Sequence, residues 1–214
     1  MITGTVEFMG VEIAYGPGAL MPRAETELLG LTVIERLAGV VAPRIVDMCC
    51  GAGNLACALA FEMDDGRVWA CDLTDGAVAL ARHNAAELKL HPRLSVHQGD
   101  LFGALDGEPL DESLDAVVCN PPYISSARVD ERDDLKDEPR EAFDGGPYGL
   151  SIHQRVMREA ARFLRPRGLL AFEFGVGQAR QVELLLGRAR AYDSFHLVND
   201  HGGEPRVAIA RKKA

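Results

Sequence analysis

Along the chain the spacing of apolar positions changes period repeatedly, and each change predicts an element. Near the N-terminus, TVEFMGVEIAY alternates on either side of Met9-Gly10, which predicts two short strands joined by a turn, and Gly16-Pro17-Gly18 ends them. Leu28, Leu29, Leu31, Ile34 and Leu37 then recur at helical spacing and predict a helix over 24–37. Beyond it, short apolar runs predict strands at 44–48, 67–71, 94–97, 115–119 and 169–174, alternating with helical patterns at 54–63, 75–88, 151–164 and 177–188. A closing pair of strands, about 191–198 and 205–211, comes with a Gly-Gly turn. This alternation implies right-handed crossovers and an α/β fold, a mostly parallel seven-stranded sheet with helices on both faces. The closing pair is expected to bring an antiparallel strand to the sheet edge. Ligands of such sheets sit at the carboxyl ends of the strands.

At 214 residues, 47% hydrophobic and 26% charged, the chain can build one complete core, so residues 1–214 are expected to form a single domain, with 1–22 as a hairpin and lead-in segment. Lys and Arg number 23 against 32 Asp and Glu, and the resulting net charge of -9 makes duplex nucleic acid a poor partner. Cys49, Cys50, Cys57, Cys71 and Cys119 all lie in or beside apolar runs without a C-x-x-C pair. They read as reduced, buried thiols of a cytoplasmic protein. The six histidines show no ligand spacing, so no metal site is assigned. No basic leader with an apolar core opens the sequence, and no apolar run approaches the roughly 18 residues of a membrane span.

The first parallel strand ends in VDMCCGAGNLACALA, where Gly51 and Gly53 lead into a helix expected to be capped by Asn54. Glycines there allow the backbone to approach a ligand, and the helix N-terminus offers free N–H groups. Asp72, at the end of the next strand and 19 residues beyond Gly53, can accept both hydroxyls of a ribose, with Leu73 beside it. Taken alone, Asp72 has a bland reading as a helix-capping acid before Thr74, which is common. Together with the glycine loop, it implies a cofactor containing adenosine. Gly51-x-Gly53-x-x-Ala56 satisfies the loose dinucleotide fingerprint, so NAD competes. Asp47, four residues before Gly51, repels a pyrophosphate but suits a sulfonium and ammonium ligand, which favours S-adenosylmethionine (SAM). Asp100 and Leu101, in HQGDLFGAL after the third strand, are placed to frame an adenine edge.

The fourth strand ends in LDAVVCNPPYISS, residues 114–126. A carboxamide nitrogen has a delocalised lone pair and attacks a methyl sulfonium poorly unless its N–H groups are held by acceptors. Asn120 offers a side-chain carbonyl, and Pro121 and Pro122, lacking N–H, hold neighbouring backbone carbonyls as rigid acceptors. Tyr123 can lie against the planar group. Two acceptors on one nitrogen aim its lone pair along the S–CH₃ axis, so catalysis rests on proximity and fixed dipoles rather than on a strong base. An Asn-Pro turn without function is the bland alternative.

These residues resemble the HemK/PrmC family of SAM-dependent protein-glutamine methyltransferases, which act on the Gly-Gly-Gln loop of peptide-chain release factors. Besides NPPYI, the similarity takes in MPRAETELL at 21–29, DEPREAFDGGPYGL at 137–150, FEFGVGQ at 172–178 and EPRVAIARK at 204–212. The resemblance implies a Rossmann-like class I SAM-dependent methyltransferase. It implies a cofactor site through Asp47, Cys49, Cys50, Gly51, Ala52, Gly53, Asp72, Leu73, Asp100, Leu101 and Asn120. It also implies that Asn120, Pro121, Pro122 and Tyr123 hold the acceptor amide, with Leu20 and Glu173 walling the site. Arg23 reads either as a substrate ligand or, with Glu25 and Glu27, as part of a salt-bridged helix start.

The sequence departs from the family at four places. Cys49 and Cys50 stand where a further glycine and its neighbour are usual, Ala24 replaces a proline, and Tyr148 replaces an aspartate. The chain also begins directly with the hairpin, whereas typical bacterial members carry a helical N-terminal domain that helps hold the release factor. The resemblance keeps a protein glutamine as the favoured acceptor, while these departures favour the alternative, a small amine, amide or heteroaromatic ring of biosynthetic metabolism. A nucleic-acid base is disfavoured by the acidic run DERDDLKDE at 130–138. Residues 125–149, a long charged segment after the fourth strand, are expected to form a lid over the acceptor.

Overall fold

In the computed structural model, residues 2–126, 143–146 and 148–214 are described; most of the expected lid lies outside them. β1 (Gly4–Phe8) and β2 (Val11–Tyr15) pair antiparallel with Phe8 opposite Val11. Their two-residue turn places Met9 and Gly10 at φ 48° and 79°, the left-handed pair that matches the twist of a hairpin. The helix expected over 24–37 divides into a 3₁₀ turn, Ala24–Thr26, and α1, Glu27–Arg36.

The alternating region follows as β3 (Arg44–Met48), α2 (Asn54–Glu62), β4 (Arg67–Asp72), α3 (Asp75–Glu87), β5 (Leu94–Gln98), a 3₁₀ helix (Leu101–Leu105) and β6 (Leu114–Cys119). After it come α4 (Ser151–Phe163), β7 (Leu164–Glu173), α5 (Ala179–Arg188), β8 (Tyr192–Asn199) and β9 (Pro205–Lys212). Seven strands form one sheet in the order β5-β4-β3-β6-β7-β9-β8. The five strands from β5 through β7 pair parallel, and β9 runs antiparallel between β7 and β8. The antiparallel strand thus lies one place in from the edge, and β8 forms the edge. Burial explains the order: Val207, Ala208, Ile209 and Ala210 of β9 are all buried, whereas Asp193, Ser194, Phe195 and His196 of β8 are exposed.

The sheet separates two cores. Ile45, Ala70, Ala116, Val118 and Leu169 face one side with the hairpin and α1 to α3. Val46, Trp69, Val117 and Leu170 face the other, against α4, α5 and the second 3₁₀ helix. Neighbouring residues of one strand fall in opposite cores because side chains alternate across a strand. The central strand β6 is buried at every position, as its unbroken apolar run requires. α2 is Ala-rich and buried at six of its nine positions, because it lies beneath both the hairpin and α1.

One capping expectation is corrected, and the capping alternative for Asp72 is set aside. The N-cap of α2 is Gly53 at φ 78°, and Asn54 is the first helical residue without a capping bond. A side chain at Gly53 would meet Ala81 Cα at 3.1 Å, so close approach of α3 and the left-handed backbone together demand glycine. The cap of α3 is Thr74, whose Oγ1 accepts from Ala77 N–H, so Asp72 is not the capping acid.

Candidate active site

The chain leaves β3 toward β4 and β5 on one side, then returns to β6 on the other, so the connections after β3 and β6 run in opposite directions from strands that stay paired to their last residues, Met48 and Cys119. A cleft of about 1020 Å³, open to solvent, lies at this point. Among the residues singled out from sequence, Leu20, Arg23, Asp47, Cys49, Cys50, Gly51, Asp72, Leu73, Asp100, Leu101, Asn120 and Pro122 line it. Ala52, Gly53, Pro121, Tyr123 and Glu173 are not part of the lining.

Asp47 is 1% exposed, yet it reaches the cleft floor. Its Oδ2 accepts from Ala56 N–H at 3.0 Å, while Oδ1 is buried with no hydrogen-bond partner among the described residues. Burial pushes its carboxyl up to about 8, the Ala56 N–H opposes the shift, and nearby Asp72 adds to it. A buried acceptor without a donor at the floor of a cleft suits a cationic or N–H-bearing ligand. A pyrophosphate would instead meet a carboxyl, with the Ala56 N–H of α2 already taken.

Asp72 braces the glycine loop: Oδ2 accepts from Gly51 N–H at 2.9 Å and Oδ1 from Thr74 N–H at 3.1 Å. Cys49 occupies a left-handed backbone at φ 59°, the conformation that favours the family's glycine there. Cys50 and Cys71 also line the cleft, and burial pushes both thiols up, so they are neutral. Asp100 forms a two-point pair with Arg155, Oδ1 to Nη1 and Oδ2 to Nη2 at 3.0 Å each. Leu101 beside it is buried at φ 49°, an uncommon conformation for a bulky side chain.

Asn120 closes the opposite wall. Its Nδ2 donates to Thr26 Oγ1 at 2.9 Å, and Thr26 Oγ1 donates to Glu173 Oε2 at 2.8 Å. Tyr123 OH donates to Glu173 Oε1 at 3.2 Å, and Arg206 pairs with the same oxygen at 3.2 Å. Burial pushes the Tyr123 phenol up to about 12, and the Glu173 charge adds to the shift. Burial also raises Glu173, against the opposing pull of Thr26, Arg206 and Tyr123. Tyr123 and Glu173 therefore stand behind Asn120 as its support. Glu27 Oε1 accepts from Met9 N–H at 3.1 Å, tying the start of α1 to the hairpin turn.

Sequence reasoning missed Thr26 and Arg206. Both lie inside motifs quoted for the family, but neither local pattern indicates a partner across the sheet. The ends of the expected lid are tied to the motif: Ile124 N–H donates to Phe143 O at 2.9 Å and Gly145 N–H to Ile124 O at 2.8 Å. Gly149, at φ 69°, has no room for a side chain against Tyr123 O. Residues 127–142 and 147 of that segment lie outside the described residues.

The methyltransferase small domain family matches residues 26–134. A release factor glutamine methyltransferase of Moorella thermoacetica is 37% identical over 213 residues, covering 99% of this chain and 74% of that protein. One from Geobacter sulfurreducens is 34% identical, covering 98% and 72%. Among solved structures, a Pyrococcus furiosus methyltransferase superposes with a TM-score of 0.65 at 16% identity, covering 96% of this chain and 90% of that one. A T. thermophilus 16S rRNA methyltransferase in complex with AdoMet and guanosine gives 0.69 at 20%, covering 98% and 50%. The two structures share the fold, and the sequence relatives match nearly the whole of this chain over about three quarters of their own length. It is a methyltransferase and belongs to the release factor glutamine methyltransferase family.

Proposed function

We propose that the protein uses SAM to methylate the side-chain nitrogen of a protein glutamine, with a peptide-chain release factor as the favoured acceptor. The observation that carries this reading is the position of Asn120 on the wall of the cleft that also holds Asp47, Gly51 and Asp72. Bound there, SAM would supply an electrophilic methyl group on a positively charged sulfur. Asp47 would face its cationic end, Gly51 and Asp72 its ribose, and Leu73 and Leu101 its adenine. The Asn120 carbonyl would accept an N–H of the glutamine amide, holding the nitrogen in line and localising its lone pair. As the new N–C bond forms the S–CH₃ bond would break and S-adenosylhomocysteine would leave, and the proton would then pass to solvent, so no buried base is needed.

The proposal includes a single methyltransferase unit over 1–214 and a cytoplasmic place of work. Among the described residues, no helix is long and apolar enough to cross a membrane. The test incubates the protein with SAM and either release factor or a peptide containing Gly-Gly-Gln, and locates the added methyl by mass. Asn120→Ala is expected to lower turnover by about 10²–10³ while SAM affinity stays near wild type. Methylation of small amines but not of release factor would replace the protein acceptor by a metabolite.

A further inference from the structure

Thr26 is 2% exposed and lies in the 3₁₀ turn ahead of α1, 94 positions from Asn120. It joins two groups of opposite kind, accepting from Asn120 Nδ2 and donating to Glu173 Oε2. Arg206 of β9 fixes the far end: Nη2 meets Glu173 Oε1 at 3.2 Å and Nε donates to Phe174 O at 3.0 Å. The row Asn120, Thr26, Glu173, Arg206 thus joins the residue that follows β6 to the 3₁₀ turn, the end of β7 and β9.

The two ends of an asparagine amide have nearly the same shape, and either can face a cleft. Counting donors decides which one does. Glu173, 2% exposed and paired with Arg206, is an acceptor at both oxygens. Thr26 has one hydroxyl proton, and the carboxylate takes it. What Thr26 keeps is lone pairs, so the Asn120 atom facing it must be the donor, Nδ2. The carbonyl Oδ1 is then turned to the cleft that Asn120 lines.

We propose that Thr26, held by Glu173 and Arg206, is a positioning residue that fixes the Asn120 carbonyl toward the methyl acceptor and so selects acceptors presenting an N–H. This deepens the proposed function and rests on it: Asn120 must face the acceptor. Without the Thr26 hydroxyl the two amide orientations become close in energy, and an NH₂ turned to the cleft repels an amide acceptor.

Thr26→Ser keeps the hydroxyl and Thr26→Val removes it at nearly equal volume. Thr26→Ser is expected to retain most of the turnover. Thr26→Val should lower kcat by roughly tenfold or more and, because it strands Glu173 Oε2, lower the thermal midpoint by a few degrees, with SAM affinity near wild type. A readout that needs no acceptor is NMR exchange of the Asn120 side-chain amide protons, expected to be slow in wild type and Thr26→Ser and faster in Thr26→Val. Equal exchange in all three proteins overturns the inference. So does unchanged kcat in Thr26→Val, or a loss of kcat that follows loss of SAM binding and stability in step. If wild type methylates no glutamine, the proposed acceptor falls, and the exchange comparison still decides the role of Thr26. Should Thr26→Val not fold, Thr26→Ala takes its place in both measurements.

Discussion

Asp47 and Cys49 stand two residues apart, and the fold treats them in opposite ways. At Cys49 the backbone is held at φ 59°, a local cost that glycine would avoid. At Asp47 the cost is desolvation: the carboxyl, raised to about 8, is mostly protonated at neutral pH. A cationic ligand beside Oδ1 favours the ionised form, so binding must release a proton, and affinity must rise with pH up to about 8 and level off above it. Calorimetry of SAM binding at pH 7 in buffers of different ionisation enthalpy should detect that proton. Asp47→Asn should abolish the release and weaken binding. An identical apparent enthalpy in all buffers for wild type would remove Asp47 from contact with the cationic end.

Between elements, one side chain joins three. Asn84 of α3 is buried, accepts from Ala14 N–H at 2.8 Å, and donates to Ala14 O at 2.9 Å and Ala52 O at 2.8 Å. It therefore holds the hairpin and the glycine loop in one frame. A two-stranded hairpin is marginal by itself, so its position over α2 depends on such docking and on burial of Phe8, Val11 and Ile13. Asn84→Leu should strand a buried N–H and two carbonyls and cost about 2–4 kcal/mol in denaturant unfolding, with weaker SAM binding through the displaced loop. A change below about 0.5 kcal/mol would show that the hairpin is held by apolar contacts alone.

Across the whole molecule, the acid side of the stability profile carries a mark from His153. This residue of α4 is buried edge-on to Phe172 and hydrogen-bonded through Nε2 to Glu173 O at 2.9 Å. A carbonyl only accepts, so Nε2 carries the proton, and Nδ1 is buried with no partner among the described residues. Burial pulls the ring down to about 4 from an ordinary 6.5. The folded ring thus binds a second proton less readily than the unfolded one. Its contribution is complete above about pH 6.5 and is lost as pH falls toward about 4, by up to ~3 kcal/mol. Denaturant titrations of wild type and His153→Gln should differ in slope over that window and agree above it. Parallel curves would show that the ring titrates normally in the fold.

The sequence by itself determined the elements and the chemistry at their ends. Period two and period 3.6 are local signals, and turn residues such as Gly51, Asp72 and the Asn120-Pro121 pair mark where strands stop. Because parallel strands bring their carboxyl ends to one side of the sheet, those separate marks fall around one cleft. The order within the closing pair was decided by packing: β9 takes the interior place, where its apolar run Val207 to Ala210 is buried, and leaves the more polar β8 at the edge. The sequence did not indicate that Asn120 would meet Thr26, or that Thr26 would meet Glu173, 147 positions away. Hydrogen-bond partners across the fold depend on how helices and strands pack, and a threonine in a short turn has no periodicity to announce its partner. Tertiary packing alone placed the hydroxyl between an amide and a carboxylate, and that placement sets which atom of Asn120 faces the cleft.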